Sequence, residues 1–128
     1  MIVVDSSVWI SAFRSRNSPE APLLDSLLDA DEVVLAYPVR VELLSGASKR
    51  DRPALKRALT SLPILFPSED TWPIIDRWIV KAGDAGSRFG FGDLLIAALA
   101  HESGALVWSL DADFSRMERL DFVSLYER

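Results

Sequence analysis

The first seven residues place an aspartate directly after a short run of apolar, β-branched side chains. Residues 2–4 (Ile-Val-Val) have the composition of a strand buried on both faces of a parallel sheet. Asp5 follows where this strand reaches its carboxyl end, the edge at which open α/β sheets bind their ligands. Ser6 and Ser7 are predicted to cap a helix over residues 8–13. Asp5 is therefore either a functional carboxylate or a helix cap, and this stretch alone does not decide between them.

Short apolar runs alternate with helical patterns along the rest of the chain. Further strands are predicted at residues 33–36, 64–66 and 105–110, and at a last edge strand formed by Phe122, Val123 and Leu125. Helices are predicted over residues 23–30, 38–46, 53–62 and 68–82, and from Asp93 to near Gly104. This alternation predicts an α/β fold with a central, mainly parallel sheet of four to five short strands. We expect residues 1–128 to form a single domain, because the chain has one domain's length and no linker.

Two aromatic or titratable features are interpreted as structural. The helix from Ser68, its predicted cap, carries an apolar stripe that we expect to pack in the core instead of stacking on bases; its members are Trp72, Ile75, Trp78, Ile79 and Ala82. His101, the single histidine, lies in a helix rich in Ala and Leu and is expected at the helix surface, not as a catalytic base. The glycine-rich loop after residue 82 contains Arg88 and is expected to shape substrate access.

Composition removes several classes of protein. The chain has no cysteine, so it forms no disulfide and no thiolate metal site. No apolar run reaches the roughly 18 residues that a membrane span requires, and the N-terminus lacks the basic region of a signal peptide. We therefore expect a cytoplasmic protein that does not bind membranes. The net charge of −5 disfavours broad nucleic-acid binding, yet residues 49–57 carry five cations against one acid.

Four acidic residues occupy informative positions in this outline. Asp5 and Asp111 follow predicted strands, Asp93 lies in the first turn of a helix, and Glu42 interrupts a run of Val and Leu. Carboxylates that meet in one cleft repel each other unless a divalent cation lies between them. Oxygen ligands without cysteine favour Mg²⁺ or Mn²⁺ over zinc. Taken singly, Asp93 also fits a charge at a helix N-terminus and Glu42 fits a surface position, and spacing alone does not prove that the four converge.

Four segments in this order resemble the signature of the PIN-domain ribonucleases, in particular the VapC-type toxins of bacterial toxin–antitoxin pairs. They are residues 3–7 (VVDSS), 41–46 (VELLSG), 93–100 (DLLIAALA) and 109–114 (SLDADF). The resemblance spans the whole chain and implies a PIN-like α/β/α sandwich. It also implies an endoribonuclease that depends on Mg²⁺, with Mn²⁺ as a substitute, and that acts as the toxin of a pair.

The resemblance also assigns roles to individual residues. It implies that Asp5 and Asp93 are the primary metal ligands and that Glu42 and Asp111 complete the acidic cluster. Asp113 is close enough in sequence to share the role of Asp111, and the choice between the two stays open. Ser6 stands where the family often has Thr and is expected to orient a ligand or the attacking water. Ser109 also replaces a frequent Thr.

The resemblance further implies partners for this chain. It implies an RNA substrate, a cognate antitoxin that inserts a segment into the active-site cleft, and a homodimer supported by exposed Trp and Leu from the early helices.

One alternative function is a catalytically silent PIN-like module that binds RNA or protein, which the presence of all four acids disfavours. Another is a nuclease for DNA or structured flaps, but the chain has no room for the duplex-binding insertions that such an enzyme needs.

Overall fold

The computed structural model describes residues 1–127, in which short strands alternate with helices. The strands are β1 (Ile2–Val4), β2 (Val33–Ala36), β3 (Ile64–Leu65) and β4 (Leu106–Trp108). The helices are α1 (Ser6–Arg14), α2 (Glu20–Asp29), α3 (Tyr37–Gly46), α4 (Arg52–Thr60), α5 (Thr71–Asp84), α6 (Phe91–Ser103) and α7 (Ala112–Arg119). The predicted α/β class with a parallel central sheet is confirmed, with four strands in the described range.

The order of the strands brings the predicted acids to one edge of the sheet. The sheet has the order β3-β2-β1-β4, and every pairing is parallel. In the two pairings that β1 makes, Val3 lies opposite Val34 on β2 and opposite Val107 on β4. Because the chain builds outward from β1 in one direction and then returns to its other side, the sheet has a topological switch point between β1 and β4. Asp5 emerges at this point.

Helix α6 anchors the core beneath that edge. Every residue from Leu94 to Ala100 is buried, as its uninterrupted apolar sequence requires. The helix ends at Gly104, which adopts the left-handed conformation (φ 70°) that closes helices most readily when no Cβ is present. The buried apolar side chains of all the elements join in one cluster. Asp93 is therefore carried at the first turn of a helix whose middle is fully buried.

Near the C-terminus the structure differs from the sequence-based outline. Phe122 and Val123 are buried by side-chain packing and form no strand; Leu125 alone pairs, in an isolated parallel bridge to Val107. Phe122 instead stacks on the Trp78 ring, with centroids 4.3 Å apart. Helix α7 was not predicted, because its polar sequence offers few apolar positions from which to detect a helical period.

Some helix starts and exposures also depart from expectation. Helix α5 begins at Thr71, not at Ser68, because the Ser68 hydroxyl accepts a hydrogen bond from the Asp70 amide in a preceding turn. Of the predicted apolar stripe on α5, Trp72 is 44% exposed and Ile79 is 55% exposed, so the stripe that packs in the core is narrower than predicted. No helix in the described part of the chain has both the length and the apolar character needed to cross a bilayer.

The early helices offer a different surface from the one expected. Trp9 on α1 is buried, and its indole nitrogen donates a hydrogen bond to the Val4 carbonyl at 3.1 Å. The exposed apolar residues of α1 are Ile10 and Phe13. The expectation of an exposed Trp on these helices is therefore wrong, because the indole fills the space between α1 and the first strand.

Candidate acidic site

Asp5 is held at the carboxyl end of β1 by hydroxyl groups. It occupies the position before α1, but its side chain accepts no capping hydrogen bond from the helix. Its Oδ2 instead accepts hydrogen bonds from Ser7 Oγ at 2.8 Å and Ser109 Oγ at 2.7 Å. The residue is only 5% exposed. Burial of a carboxylate is costly unless hydrogen bonds compensate, and these two fix its orientation. The interpretation of Asp5 as a mere helix cap is therefore wrong.

The hydroxyls that hold Asp5 belong to a network that sequence analysis did not find. Ser7 Oγ accepts a hydrogen bond from the Leu110 amide, and Ser109 Oγ accepts one from the Asp111 amide, both at 3.0 Å. The network thus ties α1 to the turn after β4. Ser7 was expected to cap α1, and the structure shows no such bond. The sequence feature that could have indicated this network is the position of Ser109 directly after β4, the strand that pairs with β1.

Glu42 approaches the same edge from α3. Its Oε2 accepts a hydrogen bond from Ser6 Oγ at 3.3 Å, so Ser6 contacts an acid of the site and does not cap α1. Partial burial of the carboxyl, followed by the negative charge of Asp5, raises the pKa of Glu42, and the hydrogen bond from Ser6 partly opposes this. Glu42 as a whole residue is exposed, as expected for a surface position. Its carboxylate nevertheless faces Ser6 and senses the charge of Asp5.

Three further acids meet beside Asp5, at the starts of α6 and α7. One carboxylate oxygen from each of Asp93, Asp111 and Asp113 lies within 4.8 Å of the other two. Asp93 lies in the first turn of α6. Asp111 caps α7, since its Oδ1 accepts a hydrogen bond from the Asp113 amide at 2.9 Å. Asp5 and Glu42 do not belong to this close group.

The electrostatics join the close group to the other two acids. The pKa of Asp93 is raised from 3.8 to about 6. Burial is the largest cause, followed in order by the charges of Asp5, Asp111, Asp113 and Glu42. A carboxyl group that senses four neighbouring carboxylates lies at the centre of a shared acidic cluster. The structure thus brings together all four predicted acids and the fifth candidate, Asp113.

The donor set suits a hard divalent cation. The five acids offer only oxygen atoms, and within residues 1–127 the one ion pair that any of them makes joins Asp113 to Arg116. Carboxylate oxygens at this spacing are ligands of the kind that Mg²⁺ and Mn²⁺ take. A bound cation also removes the mutual repulsion that raises the pKa of Asp93. The residues present therefore fit a divalent metal site.

Comparison with known proteins identifies the family. The PIN domain model matches residues 2–120, nearly the whole chain. This chain belongs to the PIN-domain family. The protein named ribonuclease VapC11, from Mycobacterium tuberculosis, is 33% identical over 128 residues, covering 94% of this chain and 93% of that protein. The predicted relationship to VapC-type PIN-domain ribonucleases is thereby confirmed.

Solved structures agree with the PIN fold. The chain is similar to VapBC2 from Rickettsia felis, solved with a DNA fragment from its promoter, with a TM-score of 0.78, 19% identity and 98% of each chain covered. It is also similar to a toxin–antitoxin complex from Klebsiella pneumoniae, with a TM-score of 0.74, 17% identity and 100% of each chain covered. At these identities the likeness shows the fold.

Proposed function

We propose that this chain is a divalent-metal-dependent endoribonuclease that acts as the toxin of a toxin–antitoxin pair. The observation that carries the proposal is the meeting of Asp5, Glu42, Asp93 and Asp111 at the switch point of a PIN-domain sheet, with the pKa of Asp93 raised to about 6 by burial and its acidic neighbours. The name of the relative at 33% identity, a VapC ribonuclease, supports the choice of RNA as substrate.

Each acid has a position suited to holding the metal, which we propose to be Mg²⁺, with Mn²⁺ as a substitute. Asp5 and Asp93 are the primary ligands, and Glu42 and Asp111 complete the set. These carboxylates would hold the ion, which would supply Lewis-acid chemistry for hydrolysis of the phosphodiester bond. The chain's own contribution is to hold the carboxylates in place.

Serine hydroxyls orient two of these carboxylates. Ser7 and Ser109 both donate hydrogen bonds to Oδ2 of Asp5, which leaves its Oδ1 available to a ligand. Ser6 donates to Glu42 and so holds that carboxylate toward Asp5. Such bonds to a ligand carboxylate orient it before the cation arrives, as outer-shell hydrogen bonds do at metal sites generally.

The basic segment, residues 49–57, is proposed to bind phosphates that flank the cleaved bond. An open groove of about 640 Å³ extends from Glu42 past Ser48 and Leu55, along the side of α4. All five cations of the segment are exposed, and Arg52 also donates hydrogen bonds to the backbone carbonyls of Leu44 and Ala47 at the end of α3. Positive charge beside a cluster of carboxylates holds an anionic strand that the acids alone would repel.

Partners are proposed from a structure of the same fold and from exposed aromatic side chains. An antitoxin is proposed because the Klebsiella pneumoniae structure of the same fold is a toxin–antitoxin complex, and we expect its segment to fill the cleft. A homodimer is proposed because aromatic side chains stay exposed: Trp72 stacks with Phe91 at 6.4 Å, and Phe91 is 65% exposed. Residence in the cytoplasm, where RNA and antitoxin are synthesised, completes the proposal.

A cleavage assay tests the enzymatic part. The purified protein, freed of antitoxin, is incubated with a mixed RNA pool in Mg²⁺, in Mn²⁺ and in EDTA, beside the variant Asp93→Asn. We expect cuts that require metal and that the variant does not make. Cuts that persist in the variant or in EDTA contradict the proposed site. Tight RNA binding without any cut, by folded protein in metal, supports the alternative of a silent binding module.

A further inference from the structure

Arg116 on α7 is the one cation that pairs with the acidic cluster in the described part of the chain. Its guanidinium Nη2 forms an ion pair with Oδ1 of Asp113, three residues earlier on the same helix. Its Cζ also lies 4.8 Å from the centre of the Phe89 ring. Both side chains of the ion pair are only about one-third exposed (38% and 34%). The pair is thus held between a helix turn and an aromatic face, unlike a freely solvated surface pair.

The aromatic face on which Arg116 rests is itself fixed. Phe89 is 8% exposed and packs edge-on against Phe122, with centroids 6.2 Å apart. Phe122 in turn stacks on Trp78 of α5. Arg116 therefore links α7 to the loop that leads into α6 and Asp93, and it has little freedom to leave Asp113.

Asp111, the cap of α7, and Asp113, in its first turn, consequently differ in what is already bound to them. Asp113 has a cation on Oδ1. Asp111 uses Oδ1 to cap the helix, makes no ion pair among residues 1–127, and is exposed on the cluster's open side. A divalent ion that binds Asp113 therefore meets a carboxylate whose charge Arg116 already offsets, whereas one that binds Asp111 meets no paired cation among residues 1–127.

We propose that Arg116 is a positioning residue that holds Asp113 out of the metal-ligand set, so that Asp111 completes it. This inference rests on the proposed metal site and sharpens it, because Asp111 and Asp113 each place a carboxylate oxygen within 4.8 Å of one from Asp93. Arg116 acts through Asp113 and touches neither metal nor substrate. It also keeps the net negative charge of the cluster lower than five carboxylates alone would give.

The test is a double-mutant cycle on Mn²⁺ affinity, measured on the full chain without RNA by electron paramagnetic resonance. Arg116→Met removes the charge but keeps an unbranched stem against the Phe89 ring. We expect it to tighten Mn²⁺ binding by roughly three- to tenfold, because it frees a carboxylate and removes a cation. In an Asp113→Asn background the same change should tighten binding by roughly twofold or less, since only the loss of long-range charge remains.

Single variants and a matched control complete the experiment. Arg119→Met removes a cation from the same helix and should change Mn²⁺ affinity by less than about twofold. Arg116→Lys should restore wild-type affinity, because it restores the pairing charge. Asp111→Asn should weaken binding by roughly tenfold or more, and Asp113→Asn by far less.

The outcomes separate this inference from the metal site itself. Equal tightening by Arg116→Met in both backgrounds, or equal weakening by Asp111→Asn and Asp113→Asn, overturns the role of Arg116 and leaves the metal site standing. If the wild-type chain does not bind Mn²⁺, or if Asp93→Asn binds Mn²⁺ equally well, the metal site and the role of Arg116 are both contradicted.

Discussion

The two halves of the acidic cluster are built differently. On the β1 side, Asp5 is almost fully buried and accepts two hydroxyl hydrogen bonds. On the side of α6 and α7, Asp93 is more open, has no side-chain hydrogen bond in the described structure, and has a pKa raised to about 6 by burial and by its neighbours. Hydrogen bonds fix the carboxylate of Asp5, whereas the carboxylate of Asp93 is repelled by the negative charges around it. A bound cation would relieve the repulsion at Asp93 and would need the carboxylate of Asp5 to be already oriented.

The largest effect should come from removing either central carboxylate. Asp5→Asn and Asp93→Asn should each reduce metal-dependent RNA cleavage by roughly a thousandfold or more, because each loses a proposed metal ligand. Cleavage rates on one RNA substrate at saturating Mg²⁺ measure this. Circular dichroism of each variant serves as the folding control, and a folded variant that keeps wild-type rates contradicts its assignment.

The hydroxyls that hold Asp5 should matter less than the carboxylate itself. Ser109→Ala should reduce cleavage by roughly ten- to a hundredfold and weaken Mn²⁺ binding, because it removes one of the two hydrogen bonds to Asp5 Oδ2 and the acceptor for the Asp111 amide. Ser109→Thr keeps the hydroxyl and should retain most activity. If Ser109→Ala and Ser109→Thr behave alike, the hydrogen bond does not position Asp5.

The repulsion around Asp93 should be visible in stability without metal. Its pKa is raised, so the folded protein binds this proton more tightly than the unfolded chain does, and stability falls as pH rises from about 3.8 through about 6. Asp93→Asn should therefore raise the free energy of unfolding by about 1–2 kcal/mol above pH 7, and by close to nothing near pH 4.

Denaturant unfolding in EDTA across this pH range measures the difference. Asp5→Asn is the informative partner variant, because it weakens hydrogen bonds and should destabilise the fold by about 1 kcal/mol. A gain for Asp93→Asn that is equal at pH 4 and pH 8 would show that repulsion at the cluster is not its cause.

The smallest effect should come from the basic segment, outside both halves. Arg57→Ala should weaken RNA binding a few-fold and lower the slope of log affinity against log salt by about 0.7, the value for one phosphate contact on a single strand. Arg77→Ala, an exposed arginine on α5, is the matched control. Equal salt slopes for the two variants would remove the segment from the substrate path.

The same contrast explains what the sequence could predict. Asp5 and Asp111 could be singled out because they follow strands, and Asp93 and Glu42 because they lie on apolar helices. The α/β class followed from the alternation of strands and helices, whereas spacing alone did not establish that the four acids converge. Their roles as ligands stay a prediction.

Contacts that depend on distant pairing were out of reach. Ser7 and Ser109 are separated by 102 positions and meet because β4 pairs with β1. The ion pair of Arg116 with Asp113 requires α7, whose two buried residues, Phe114 and Met117, are too few to reveal a helix. The loss of the predicted last strand has the same origin, since Phe122 found an aromatic partner that sequence order does not indicate.

Anomalous diffraction from crystals grown with Mn²⁺ shows which carboxylates bind the ion. We expect an Mn²⁺ peak between the carboxylates of Asp5 and Asp93, with Asp111 as a further ligand and Asp113 still paired with Arg116. The proposed metal site is contradicted if crystals at saturating Mn²⁺ show no peak beside Asp93 although the protein cleaves RNA in the same buffer.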